Sequence, residues 1–163
     1  MNFKIMKLLL SSILIVMSSC GMFTGSSRKI KKDQSYVIHF NQSGWIKIDP
    51  QGSDHAFSNQ KGDFLFSNSF CQEFQDSSLD KLALKSLHTL DNFKIIKAQN
   101  EKYKERESYI MSGKGMIDGV STEIIIRNYR RDHCYYDFFL IAPTITNELS
   151  QTFNQFVDSI KFK

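Results

Sequence analysis

The segment SYIMSGKGMI (108–117), DG (118–119), VSTEIIIRNYR (120–130), RDH (131–133), CYYDFFLIA (134–142) decides the fold. Its three runs are rich in β-branched and aromatic residues, the composition that favours a pleated, half-buried surface. Asp118-Gly119 between the first two runs is the strongest short hairpin signal, because both residues tolerate the positive φ of a two-residue turn. Arg131-Asp132-His133 turns the chain again, and Pro143 closes the third run. Three consecutive antiparallel strands follow from this reading.

Outward from that meander, Tyr36–Phe40 reads as a strand, Asn41–Gly44 as a turn, and Trp45–Asp49 as a strand ending at Pro50. Residues 52–62 read as a polar loop apart from Ala56 and Phe57, and Asp63–Phe70 as a further strand. Asp76-Ser77-Ser78 offers a helix N-cap, with Asp80 three residues after Ser77. Leu79, Leu82, Ala83, Leu87 and Leu90 recur at helical spacing, and this helix is expected to stop near Asp91-Asn92. Phe93–Ala98 reads as a short strand, and KYKERE (102–107) as a solvated strand edge or loop. At the C-terminus, Thr144 or Thr146 can cap a helix whose apolar stripe is Leu149, Phe153, Phe156, Val157 and Ile160. The order is strands, helix, meander, helix. It predicts an α+β domain in which an antiparallel β-sheet is sandwiched with two main helices.

The N-terminus carries a different message. Lys4 and Lys7 precede an apolar run from Leu8 to Met17, broken only by Ser11 and Ser12, and Ser18-Ser19-Cys20-Gly21 follows. A basic region, an apolar region and small residues before a cleavage point make a secretory signal. The apolar run is shorter than the roughly 17–25 residues of a spanning helix. With cysteine first after the cut, the segment is similar to the lipobox of bacterial lipoproteins. That resemblance implies cleavage after Ser19, diacylglycerol in thioether linkage on Cys20, and an N-acyl chain such as palmitate. It also implies a cell-envelope location. Since Gly21 is not an aspartate, the outer membrane facing the periplasm is favoured over the inner membrane.

The expected organisation is therefore a signal peptide over 1–19, a lipidated cysteine and flexible tether over 20–35, and one domain over 36–163. With the signal removed, Lys+Arg falls from 21 to 19 against 17 Asp+Glu, so the mature side chains carry about +2. So small an excess gives no support to nucleic-acid binding. Cys71 and Cys134 remain as an even pair in an oxidising compartment. They are either bonded or two apolar thiols on neighbouring strands, depending on a Cα separation that sequence does not define.

Four patches carry a wider resemblance: Gly44-Trp45 before Pro50; Asn68-Ser69-Phe70-Cys71 before the leucine-rich helix; Cys134-Tyr135-Tyr136-Asp137-Phe138; and the closing helix from Phe153 to Ile160. Their order over residues 36–163 resembles the Mog1/PsbP-like α/β sandwich found also in DcrB-type bacterial lipoproteins. Members of that fold class generally bind partners rather than perform chemistry. The resemblance implies a non-enzymatic protein.

Residues that carry chemistry are sparse. No HExxH, CxxC or GxSxG is present, and the adjacent His133-Cys134 pair would point to opposite faces of a strand. Neither a metal nor any cofactor beyond the covalent lipid is expected. Ser112-Gly113-Lys114-Gly115 lacks the spacing of a phosphate loop. It reads instead as a sheet position where glycine admits a close backbone or an aromatic ring. Asp137, an acid inside an aromatic strand, is either a cross-strand partner of Arg127 or Arg130 or a polar anchor in an aromatic-lined cleft. Arg127, Arg130 and Arg131 near a hairpin tip, with Asp137, are the candidate partner-binding residues.

Two functions are expected from these readings. The first is an adaptor or assembly factor, anchored through its lipid, that binds an envelope protein with a filled core and an exposed patch near Arg127–His133. The alternative is a carrier of a small apolar ligand or lipid, which requires an apolar pocket of roughly 300 Å³ or more.

Overall fold

The computed structural model describes residues 31–50, 52–71, 77–87 and 90–163. Cys20, the signal segment and residues 20–30 of the tether lie outside the described residues.

Alternation along the aromatic runs produces long antiparallel strands. In chain order the elements are β1 (Tyr36–Ile38), β2 (Trp45–Lys47), β3 (His55–Asn59), β4 (Phe64–Cys71), α1 (Leu79–Ser86), β5 (Asp91–Tyr103), β6 (Arg106–Ile117), β7 (Val120–Arg131), β8 (Cys134–Ala142), α2 (Asn147–Asp158) and β9 (Ile160–Phe162). One seven-stranded sheet has the order β2-β3-β4-β8-β7-β6-β5, antiparallel throughout. After α1 the chain starts again at the far edge, and the β5–β8 meander walks back to pair with β4. The short strands β1 and β9 form a separate two-stranded ribbon.

The period of two divides the sheet into two faces. One face presents Leu65, Tyr136, Phe138, Leu140 and Tyr129 to α2 and the ribbon, where Phe153, Phe156, Val157 and Ile160 close the larger core. The other presents Met111, Ile124, Ile126 and Phe139 to Ala83 and Leu87 of α1 and its C-cap. The sheet is thus the middle layer between two helices, the α+β arrangement expected from the sequence.

Several elements differ from their sequence reading, each for a local reason. The expected loop over 52–62 contains β3, in which Ala56 and Phe57 are buried on opposite faces of the strand and their polar neighbours are half-buried. The short run at Phe93 is the middle of a thirteen-residue strand, and KYKERE is a hairpin. Lys104 and Glu105 both take positive φ, 46° and 62°, the geometry of a tight two-residue turn. Helix α1 has its N-cap at Ser78, within the Asp76-Ser77-Ser78 stretch, but without a side-chain cap bond there, and it stops at Ser86, short of the expected end near Asp91. Thr146 is the cap of α2, accepting from the Leu149 amide at 3.2 Å. Ile160 leaves the expected helical stripe to enter β9, opposite Ile38.

Gly113 behaves as its position suggests. A Cβ there would lie 2.4 Å from the Phe93 ring and 2.5 Å from the Lys94 carbonyl oxygen, so only glycine admits the β5 chain across this site. The Asp118-Gly119 turn has φ of 49° and 79°, as its residue types predict.

Candidate functional site

Positions 68, 137 and 128 stand opposite one another on β4, β8 and β7. The register therefore lays Asn68, Asp137 and Asn128 in one polar row across the face that α1 covers. Around that row the face is aromatic and aliphatic. Phe66 and Phe139 stack with ring centroids 4.4 Å apart, and Phe70 lies against Tyr135 at 6.1 Å.

Asp137 is only 1 % exposed. The Ser86 hydroxyl, at the end of α1, donates to Asp137 Oδ2 at 2.9 Å, while Oδ1 has no hydrogen-bond partner among the described residues. Asn128 Nδ2 donates to the Tyr135 hydroxyl at 2.7 Å and to the Leu79 carbonyl at 3.1 Å. Burial penalises the charged carboxylate and pushes the Asp137 carboxyl up to about 7, against the opposing pull of the Tyr135 and Ser86 hydroxyls and of Lys32. Burial also holds the Tyr135 hydroxyl protonated far above its ordinary range, reinforced by the charge of Asp137.

A cleft of about 470 Å³ opens between α1 and this sheet face. Asp137 and Asn68 lie on its floor. Phe66, Phe139, Ile124 and Ile141 supply apolar wall from the sheet, Leu87 and Leu90 supply it from the end of α1 and the segment after it, and Asp91 and Asp118 stand at the same cleft. A buried acid with an unpaired oxygen costs free energy unless it is compensated, and such groups concentrate where ligands bind. The arrangement suits an apolar body carrying one polar group, in a volume within the ordinary range of small-molecule sites.

The arginines do not join this site or each other. Arg127 lies on the α2 face, where its Nε donates to Glu101 at 2.7 Å and its Nη1 to Asn154 at 3.1 Å. Arg131 lies over the Phe162 ring at 3.7 Å, with Asp132 at 3.4 Å. Arg130 lies on the α1 face and donates to the Ser77 carbonyl at 2.6 Å. The expected cross-strand pairing of Asp137 with Arg127 or Arg130 is therefore replaced. Asn128, not an arginine, is the β7 residue opposite Asp137, on the sheet face that α1 covers.

Cys71 and Cys134 are direct partners across β4 and β8, and their sulfurs are bonded. The segment from Lys31 to Ser35, placed in the tether by its composition, packs beside them. Lys31 bridges to Cys71, with its carbonyl accepting from the Cys71 amide at 2.8 Å. The Asp33 amide donates to Ser69 Oγ at 2.8 Å, and the Tyr136 hydroxyl donates to the Asp33 carboxylate. Lys32 pairs with Asp54 at 3.1 Å, and Asp54 also accepts from Tyr36 and Ser69. The packed region thus reaches back to Lys31.

Among the described residues no group of three or more His, Cys, Asp and Glu is placed to hold a metal ion. No helix of the described residues is long and apolar enough to cross a membrane. Sequence reasoning singled out Asp137 but missed Asn68, Asn128 and Ser86. The signal for the asparagines was a single amide on a strand face that is apolar two residues before it: Phe66 then Asn68 on β4, and Ile124, Ile126 then Asn128 on β7.

No family model matches the chain, and no curated protein matches it. Solved structures do. The cyanobacterial PsbP protein CyanoP from Synechocystis sp. PCC 6803 superposes with a TM-score of 0.55 at 14% identity, covering 91% of this chain and 99% of that one. LpqN of Mycobacterium tuberculosis, described as involved in cell envelope biogenesis, superposes with a TM-score of 0.58 at 7% identity, covering 84% of this chain and 87% of that one. At such identities the likeness is one of fold, and the fold is PsbP-like.

Proposed function

We infer that this chain is a non-enzymatic binding protein of the bacterial cell envelope, held to a membrane by lipid on Cys20. Its working site is the cleft between α1 and the sheet. The observation that carries the reading is the cleft itself: about 470 Å³, apolar-walled, with one buried, half-unpaired acid on its floor. The sequence around Cys20 supports the anchor, and the structural likeness to LpqN, an envelope-biogenesis protein, is in keeping with an envelope location. Periplasmic exposure at the outer membrane belongs to the same proposal and rests on Gly21.

The test is to purify the full chain from bacterial membranes, denature it, and identify released small molecules by mass spectrometry. Leu90→Trp, which fills the cleft, is expected to abolish the release of one compound. An identical set of compounds from both proteins would refute the cleft as a binding site. For the anchor, Cys20→Ser is expected to abolish incorporation of labelled acyl chains, and continued labelling would refute it.

A second reading, an adaptor for an envelope protein, is favoured by the exposed apolar side chains Ile95, Ile96, Met116 and Val120 on the β5, β6 and β7 strands. It draws no support from the arginines, which are engaged within the fold. Crosslinking in intact membranes should recover a partner that an Ile95→Lys/Ile96→Lys chain loses; recovery of the same partner by both would remove that surface.

A further inference from the structure

Among the described residues, the charged side chains that line the cleft under α1 are all of one sign. Asp91, Asp118 and Asp137 line it, and among the described residues no lysine, arginine or histidine does. The neighbouring Lys32 is taken up by Asp54 at 3.1 Å and Asn68 at 3.4 Å, and it stands outside the lining. The described groups that hydrogen-bond Asp137 or stand opposite it are neutral: Ser86 from α1, Asn128 from β7, Asn68 from β4 and Tyr135 on its own strand; Lys32 acts on the acid only through its charge, from beyond Asn68. Among the described residues the acid therefore has no cation within the cleft lining, and its Oδ1 has no hydrogen-bond partner. Beside it stand the rings of Phe66 and Phe139, whose π-faces attract positive charge, while Lys32 Nζ already lies over the Phe70 ring at 4.6 Å.

We propose that the cleft selects a small apolar amine, with its ammonium on Asp137 Oδ1 and its hydrocarbon body against Phe66, Phe139 and Leu90. This rests on the reading of the chain as a binding protein and adds the class of ligand. An ammonium supplies both what Oδ1 lacks, a donor, and what the acidic lining lacks, a positive charge. Burial raises the Asp137 carboxyl to about 7 when no partner is present, and an ammonium in contact would favour its ionised form. A carboxylate or phosphate ligand would instead meet three acids and, among the described lining residues, no cation.

The experiment titrates the full chain with three probes of one shape: 2-phenylethylamine, 2-phenylethanol and 3-phenylpropanoate. Calorimetry at about pH 8 is run on the wild type, Asp137→Asn and Leu90→Trp. The amine is expected to bind at least about tenfold more tightly than the alcohol, the size of one charge-assisted hydrogen bond. Asp137→Asn should erase that preference, and Leu90→Trp should block the amine. Circular dichroism confirms that both variants are folded. Equal binding of amine and alcohol, or stronger binding of the carboxylate, overturns the amine proposal and leaves the binding function standing. Undiminished amine binding in either variant places the amine elsewhere and also overturns it. Failure of all three probes to bind the wild type, together with an unchanged set of released compounds in Leu90→Trp, overturns both readings.

Discussion

Replacing Asp137 by asparagine should make the protein more stable, and by an amount that depends on pH. The substitution keeps the planar shape of the side chain and removes its ionisation. Burial raises the carboxyl from 3.8 to about 7 in the folded chain, while the unfolded chain returns it to its ordinary value. Between about pH 4 and about pH 7 the folded state therefore holds a proton that the unfolded state has released. Stability falls with rising pH wherever the unfolded state binds fewer protons, so the wild type weakens across that window and reaches its full penalty above it. A displacement of roughly three pKa units, at about 1.4 kcal/mol each, amounts to about 4 kcal/mol. Below about pH 4 the carboxyl is protonated in both states and the penalty vanishes. Urea unfolding of both proteins at steps from about pH 4 to about pH 8 measures it, and the difference between them cancels every other titrating group. The advantage of Asp137→Asn should grow through the window by a few kcal/mol. A difference that stays flat, or that moves toward the wild type as pH rises, would show that Asp137 titrates normally and that its burial is not the controlling fact.

Three further outcomes are expected. Replacing both Cys71 and Cys134 by alanine opens a link between residues 63 apart, and chain entropy puts the loss near 4 kcal/mol by chemical denaturation, with retained stability counting against the bond. Gly113→Ala forces a methyl group into the Phe93 ring and the Lys94 carbonyl and should cost about 1–3 kcal/mol, read as a lowered melting temperature, whereas an unchanged one would mean that β5 can give way. Thr146→Ala removes the cap of α2 and should cost about 1 kcal/mol in the same measurement, and a neutral result would mean that water replaces the bond to Leu149.

The α+β layering was legible because its signals are local. The 108–142 meander declares its turns through Asp118-Gly119 and its strands through β-branched and aromatic runs, and both helices show a clear apolar stripe. Glycine at 113 announced a close approach without saying that Phe93 would be the ring. What failed to show depends on distant pairing. Strand β3 is recognisable only beside β4, and β9 only beside β1, since three residues such as Ile160–Phe162 are too few to carry a period. At the candidate site, Asp137 stood out as an acid among aromatics, yet its partner depended on register. A shift of one residue along β7 would have set Arg127 or Tyr129 opposite it instead of Asn128. The cleft depends on where α1 stops, four residues before its last leucine, and no residue near Ser86 marks that end.

The docking of residues 31–35 bears on how the molecule carries force. Eleven peptide units separate Cys20 from Lys31. With lipid on Cys20 the leash can hold the domain no farther than about 40 Å from the membrane surface. Any pull along that leash reaches the domain at Lys31, whose carbonyl is bonded to Cys71, and Cys71 is joined covalently to Cys134. Tension is thereby handed directly to a crosslinked strand pair at the centre of the sheet, bypassing the three-residue strand β1. An anchor at Cys20 would thus moor the domain at a crosslinked seam, so that a tug along the leash would drag the whole domain before it peels one strand.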